Sequence, residues 1–177
     1  MALLGDVDQD VVLDVEASLG ARFALPVRRL DRRFDPQAAY DITRRQYGSA
    51  LLLRRLVEAA PPGAVKILGL TEHDLFIPML SFLFGQAQVG GVAALVSLAR
   101  LRPEFHGWPP EPALLRERAR KECFHELGHA FGLVHCEDRG CVMSLSTALA
   151  QVDAKRAEYC QDCQALLPRA GFGSEDQ

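Results

Sequence analysis

The segment His125–Met143, HELGHAFGLVHCEDRGCVM, holds three of the five histidines of this 177-residue chain and two of its five cysteines. His125 and His129 are four residues apart, so on a helix they share one face, a turn from each other. Two imidazoles placed that way can ligate one zinc ion at about 2.0–2.1 Å each. A catalytic zinc takes three protein ligands and keeps one position open for water. His135 supplies the third ligand if the chain reverses soon after His129. Gly132 permits that reversal, because glycine enters positive φ without steric cost. Glu126 is adjacent to His125 and long enough to reach a metal-bound water, where it would serve as general base. The plainer reading is an ordinary amphipathic helix carrying histidines by chance.

A second set of metal-binding groups overlaps the first. Cys136 and Cys141 form C-x4-C, and Cys160 and Cys163 form C-x2-C in CQDC. Four thiolates make a closed, tetrahedral structural zinc site, which would tie the loop after the histidine helix to the C-terminal region. Two disulfides or four unrelated thiols are the competing readings. Cys123 is left over and reads as a small buried packing residue.

These groups need elements to hold them. ALLRERARKECFHELGHAFGL predicts a helix over 113–133, with Leu115, Phe124, Leu127 and Phe131 as apolar positions and Gly132 as its stop. Upstream, DVVLDVEASLG predicts a helix ended by Gly20, and RFALPVRRLD a first strand over 22–31, bent or placed at an edge by Pro26. DITRRQYGSALLLRRLVEAA predicts one long helix over 41–60, broken by Pro61–Gly63. AVKILGLT reads as a buried parallel strand, and MLSFLFGQAQ and GVAALVSLARL as two neighbouring strands near a sheet edge. RPEFHGWPPEP is a proline-rich loop. DAKRAEYCQDCQALLP predicts a last helix over 153–168. The order of helices and strands suits an α/β sandwich with a mixed sheet. No internal repeat is visible.

Composition narrows the classes. A chain of this length is expected to form one domain with its own core. Hydrophobic residues make up 49%, charged residues 24%, and the net charge is −3. That balance calls for no nucleic-acid partner and no anionic membrane surface. No window approaches the ~18 apolar residues of a membrane span, and MALLGDVDQDVV has no basic, apolar leader pattern. A cytoplasmic location is therefore expected. Thiols stay reduced there, which favours metal ligation over disulfides.

At His125, Glu126, His129, Gly132 and His135 the chain follows H-E-x-x-H-x-x-G-x-x-H, the metzincin signature. With Cys136, Cys141, Met143, Cys160 and Cys163 it resembles the archaemetzincins, a branch of the metzincin zinc metalloproteases. The sixteen residues between Met143 and Cys160 are one fewer than the family spacer, a difference a loop absorbs. ITRRQYGSALLL, LGLTEHDLFIP, SFLFGQAQ and VSLARL extend the likeness over roughly residues 36 to 165.

The resemblance implies a zincin-like three-layer sandwich, with a mixed, twisted sheet and one antiparallel edge strand packed on the active-site helix. A single catalytic domain over 1–170 with a flexible tail at 171–177 is expected. The resemblance also implies Met143 as the Met-turn beneath the ligands, and a cleft along the edge strand where a peptide would lie extended. Phe82–Gln88 is the candidate edge, a plain internal strand being the other reading. Two zinc ions are expected, one catalytic and one structural, in a monomer that hydrolyses peptides. Rival readings are a zinc-stabilised peptide-binding protein with little or no hydrolysis, and a redox protein using CQDC. The carboxylate of Glu126 separates the first rival, and the absence of a βαβ setting weakens the second. Tyr159 follows the Met-turn but neighbours a thiolate, so no oxyanion role is assigned to it. His73 reads as a surface or cap residue, His106 as solvated.

Overall fold

The computed structural model describes residues 1–32 and 34–168. Strand β1 (Ala2–Leu4) leads into helix α1 (Gln9–Phe23), whose first turn is capped by the Asp8 carboxylate accepting from the Asp10 and Val11 amides. A short hairpin of β2 (Tyr40–Asp41) and β3 (Gln46–Gly48) precedes helix α2 (Ser49–Ala59). Strands β4 (Ile67–Thr71), β5 (Leu75–Ile77), β6 (Leu80–Leu83), β7 (Gly85–Ala87) and β8 (Ala93–Ser97) follow. Helix α3 (Pro112–Ala130) and the short α4 (Leu149–Ala154) and α5 (Gln161–Leu166) complete the chain.

The main sheet has the order β1-β4-β8-β7. β1, β4 and β8 are parallel, and β7 runs antiparallel to β8 at the edge. β4 and β8 are buried along their whole length, as expected for parallel strands covered on both faces. Leu68, Leu70, Ala94 and Val96 face α1 and α3, while Ile67, Ala93 and Leu95 face α2. Three layers result, as the resemblance implies, with a mixed sheet carrying one antiparallel edge strand. A smaller sheet, β2-β3-β5-β6, flanks it. Among the described residues no helix is long and apolar enough to cross a membrane.

Four local expectations are corrected. The strand expected over 22–31 does not form: α1 runs through Gly20 to Phe23 and ends at Ala24 in the left-handed region. Phe23 is held helical by its contacts with the rings of Phe124, Phe131 and Tyr159, so tertiary packing overrides the local breaker. The helix expected over 41–60 begins only at Ser49. Before it, the Asp41 carboxylate accepts from the Thr43 and Arg44 amides and Arg45 takes φ 56°, which makes a hairpin turn. The strand expected over 79–88 is two strands in different sheets, divided at buried Phe84. The last helix is broken over 155–160, where buried Lys155 and Tyr159 anchor an irregular backbone. The tail expected at 171–177 lies outside the described residues.

Candidate active site

Helix α3 is buried on almost every side through its second half. His125, Glu126 and His129 project from it, and the chain reverses where the helix ends. Leu133 donates its amide to the Gly128 carbonyl at 2.9 Å and Gly132 takes φ 101°, a Schellman closure with glycine at the left-handed position. The reversal carries His135 back over the helix. Ring centroids of His125, His129 and His135 lie 4.6, 4.8 and 5.4 Å apart pairwise.

Backbone carbonyls fix the tautomers. His125 Nδ1 is 2.8 Å from the Val142 carbonyl, and His129 Nδ1 is 2.8 Å from the Leu133 carbonyl. A carbonyl only accepts, so each Nδ1 carries the proton and each Nε2 presents a lone pair. The Nε2 atoms of His125 and His129 stand 3.1 Å apart. Two nitrogens bound tetrahedrally to zinc at about 2.0–2.1 Å would be separated by about 3.3 Å. One ligand atom from each of the three histidines falls within 4.8 Å of the others. Burial lowers the pKa of all three, His125 the most, which favours the neutral, ligating imidazole.

Glu126 is buried, and burial first, then the charge of Glu122, pushes its carboxyl well above the usual range, with Lys155 opposing. The Gly90 amide, at the tip of the β7–β8 hairpin, donates to the His129 carbonyl at 2.9 Å. The edge strand is thereby pinned to the end of α3. Residues 85–87 of the expected edge, Phe82–Gln88, form that strand.

The four cysteines Cys136, Cys141, Cys160 and Cys163 form a second group with sulfurs within 4.8 Å of one another. Cys136 Sγ and Cys160 Sγ are 3.7 Å apart. That is far beyond a disulfide bond of about 2.05 Å and close to the about 3.8 Å expected between thiolates bound tetrahedrally at 2.3 Å. The Cys160 amide donates to Cys141 Sγ at 3.2 Å. The Cys136 amide donates to the Met143 carbonyl at 3.0 Å, so the residue after His135 is stitched to the turn beneath the helix. Met143 is fully buried there. The donor chemistry of both groups therefore fits zinc.

Other expected residues fall outside these groups. Cys123 is fully buried in the core, and burial drives its thiol well up in pKa, as suits a packing residue. Tyr159 donates its hydroxyl to the Phe124 carbonyl at 2.6 Å within the core. His73 is half-buried and stacks on Tyr47 with centroids 4.2 Å apart, and His106 is exposed against the Arg100 carbonyl. An ionic seam runs along α3 that was not foreseen from the sequence. Arg118 reaches Asp153 through two hydrogen bonds of 2.7 and 2.8 Å. Buried Lys155 lies 2.8 Å from buried Glu122, without a well-directed hydrogen bond between them. Charged residues at 118, 121 and 122 on one helix face were the available signal.

Converging imidazoles and a buried glutamate on a helix beside an antiparallel edge strand define a zinc metallopeptidase of metzincin type. The profile described as Peptidase family M54 matches residues 4–169. An archaemetzincin of Methanocaldococcus jannaschii is 40% identical over 169 residues, covering 96% of this chain and 92% of that one. The crystal structure of the archaemetzincin of Archaeoglobus fulgidus, complexed with malonate, superposes with a TM-score of 0.81 at 34% identity, covering 94% and 97% of the two chains. That of a zinc-dependent peptidase from Methanocorpusculum labreanum gives 0.80 at 30% identity, with coverage of 94% and 97%. The chain belongs to peptidase family M54, the archaemetzincins.

Proposed function

We propose that His125, His129 and His135 hold the catalytic zinc and that Glu126 is the general base in peptide-bond hydrolysis. The observation that carries this is the convergence of the three imidazoles, one ligand atom each within 4.8 Å of the others, with Glu126 next to His125 on the same helix. Bound zinc would supply Lewis acidity toward both the scissile carbonyl and the attacking water. The Val142 and Leu133 carbonyls hold the His125 and His129 rings in the ligating tautomer. Glu126 accepts the proton of the attacking water and returns it to the leaving amine. Among the described residues β7 is the edge of its sheet, an edge along which an extended peptide can align. Cys136, Cys141, Cys160 and Cys163 hold a second, structural zinc, bringing the total to two. Residues 1–170 act as one catalytic domain, and the chain works as a monomer.

A Glu126→Gln variant tests the assignment. It keeps its zinc and its melting temperature, and cleaves a peptide library at least ~100-fold more slowly than the parent. Equal cleavage by parent and variant removes Glu126 from the role. No cleavage by a parent with both sites filled favours the peptide-binding alternative.

A further inference from the structure

Gly85 opens the edge strand and pairs with Val96 of β8, a residue on the α3 face of the sheet. A Cβ at Gly85 would stand 2.5 Å from Glu126 Cγ, 2.7 Å from its Cδ and 2.7 Å from its Oε1. Carbon atoms in contact prefer about 3.5–4.0 Å, so no side chain fits there while Glu126 keeps its place. Backbone conformation does not explain this glycine. Among the described residues the glycines with positive φ are Gly5, Gly63, Gly90, Gly107 and Gly132, and Gly85 is not one of them. Glycine inside a strand weakens it and marks a close approach by another group. Here the approaching group is Glu126.

Glu126 has little freedom to yield. It is 6% exposed, and it sits on a helix locked in the core. Among the described residues no hydrogen bond holds its carboxylate; burial and the charges of Glu122 and Lys155 are what act on it. Its place is therefore set by packing, and the bare backbone of Gly85 forms one wall.

We propose that Gly85 is a positioning residue for Glu126. Its missing side chain seats the carboxylate directly against the edge strand. This rests on the reading of Glu126 as general base. The seat brings the base to the strand along which the substrate backbone would run, so both are referenced to the same three residues of β7. A Cβ at position 85 would turn the carboxylate away or push the strand outward.

Gly85→Ala is the test, measured as kinetics, zinc content and thermal melts. The expected result is a kcat lowered about 10- to 100-fold, as for a misplaced catalytic group, with KM and both zinc ions retained. The melts are run as a cycle with Glu126→Ala, which removes the atoms that the new methyl group would strike. Gly85→Ala lowers Tm in the parent and leaves it unchanged in the Glu126→Ala background. An equal drop in both backgrounds, or a parent-like kcat for Gly85→Ala, overturns the proposal. If Gly85→Ala alone fails to fold, folding of the double variant supports it and failure of the double variant overturns it. Should Glu126→Gln prove fully active, the base assignment fails, while the melting cycle still decides whether Gly85 seats Glu126.

Discussion

Gly128 has no side chain at the point where Met143 lies: a Cβ there would stand 2.4 Å from Met143 Sδ and 3.1 Å from Tyr159 Cε1. Helix α3 thus rests its backbone directly on Met143, one residue before His129. Gly128→Ala gains helix propensity, up to about 1 kcal/mol. It also forces a methyl group into a filled site, which costs about 1–3 kcal/mol. Net destabilisation is expected, with weaker zinc retention at the histidine group because α3 must lift from its floor. Urea unfolding together with a chelator competition checks both. A variant as stable as the parent would show that Met143 simply moves aside.

The second prediction concerns the buried pair. Lys155 Nζ is 2.8 Å from Glu122 Oε1, with side-chain exposures of 0% and 3%. Removing one partner strands the other charge in the core, which costs about 3–5 kcal/mol. Lys155→Met is expected to lose that much. Lys155→Met with Glu122→Leu is expected to lose less, because no charge is left unpaired. Denaturant melts of both decide it. A double variant less stable than the single would mean that the pair does more than neutralise itself.

Much of the site was legible because its signals are local. The i, i+4 spacing of His125 and His129, the left-handed Gly132 before His135, and the paired cysteines each lie within a few residues of one another. The α/β character followed from the order of helices and strands and from the buried run ILGLT, and the three-layer arrangement from the resemblance to the archaemetzincins. Elements decided by distant contacts were not legible. Gly20 looked like a helix stop, yet α1 continues because Phe23 packs on Phe124, Phe131 and Tyr159 from the other end of the chain. MLSFLFGQAQ is one apolar run, yet it serves two sheets, with Phe84 turned into the core between them. β1 is only three residues long, too short for a period to emerge. Gly85 and Gly128 carried no signal, since what makes them necessary is a side chain elsewhere in the sequence.

Metal content follows from the two ligand groups. Two zinc ions per chain are expected after preparation without chelator. The histidine group is neutral and open, with His135 exposed. The cysteine group would be anionic and closed once its thiols ligate, with Cys141 and Cys163 buried. Under a mild chelator the first ion should leave well before the second, and peptidase activity should fall with the first. Elemental analysis over a dialysis series checks the order. Loss of both ions together, or a starting content of one, would count against two independent sites.

The last prediction compares Cys160→Ser with His135→Ala. Metal bound at a closed four-thiolate site contributes folding free energy on the order of 10 kcal/mol. Cys160→Ser opens that site. It removes the sulfur 3.7 Å from Cys136 Sγ and leaves Cys136, Cys141 and Cys163 with an incomplete shell. His135 is exposed and follows a helix already held by the core, so His135→Ala should remove activity and leave the fold nearly intact. Thermal melts at matched zinc are expected to show the larger drop for Cys160→Ser. The effect should also reach the histidine group. Cys136 directly follows His135, and its amide is bonded to the Met143 carbonyl at 3.0 Å, so a zinc-bound thiolate cluster would fix the backbone that presents His135. Cys160→Ser should therefore weaken zinc retention by the histidines, which Cys160 does not join. An unchanged Tm for Cys160→Ser, or a much larger drop for His135→Ala, would rule out the four cysteines as the structural staple of this fold.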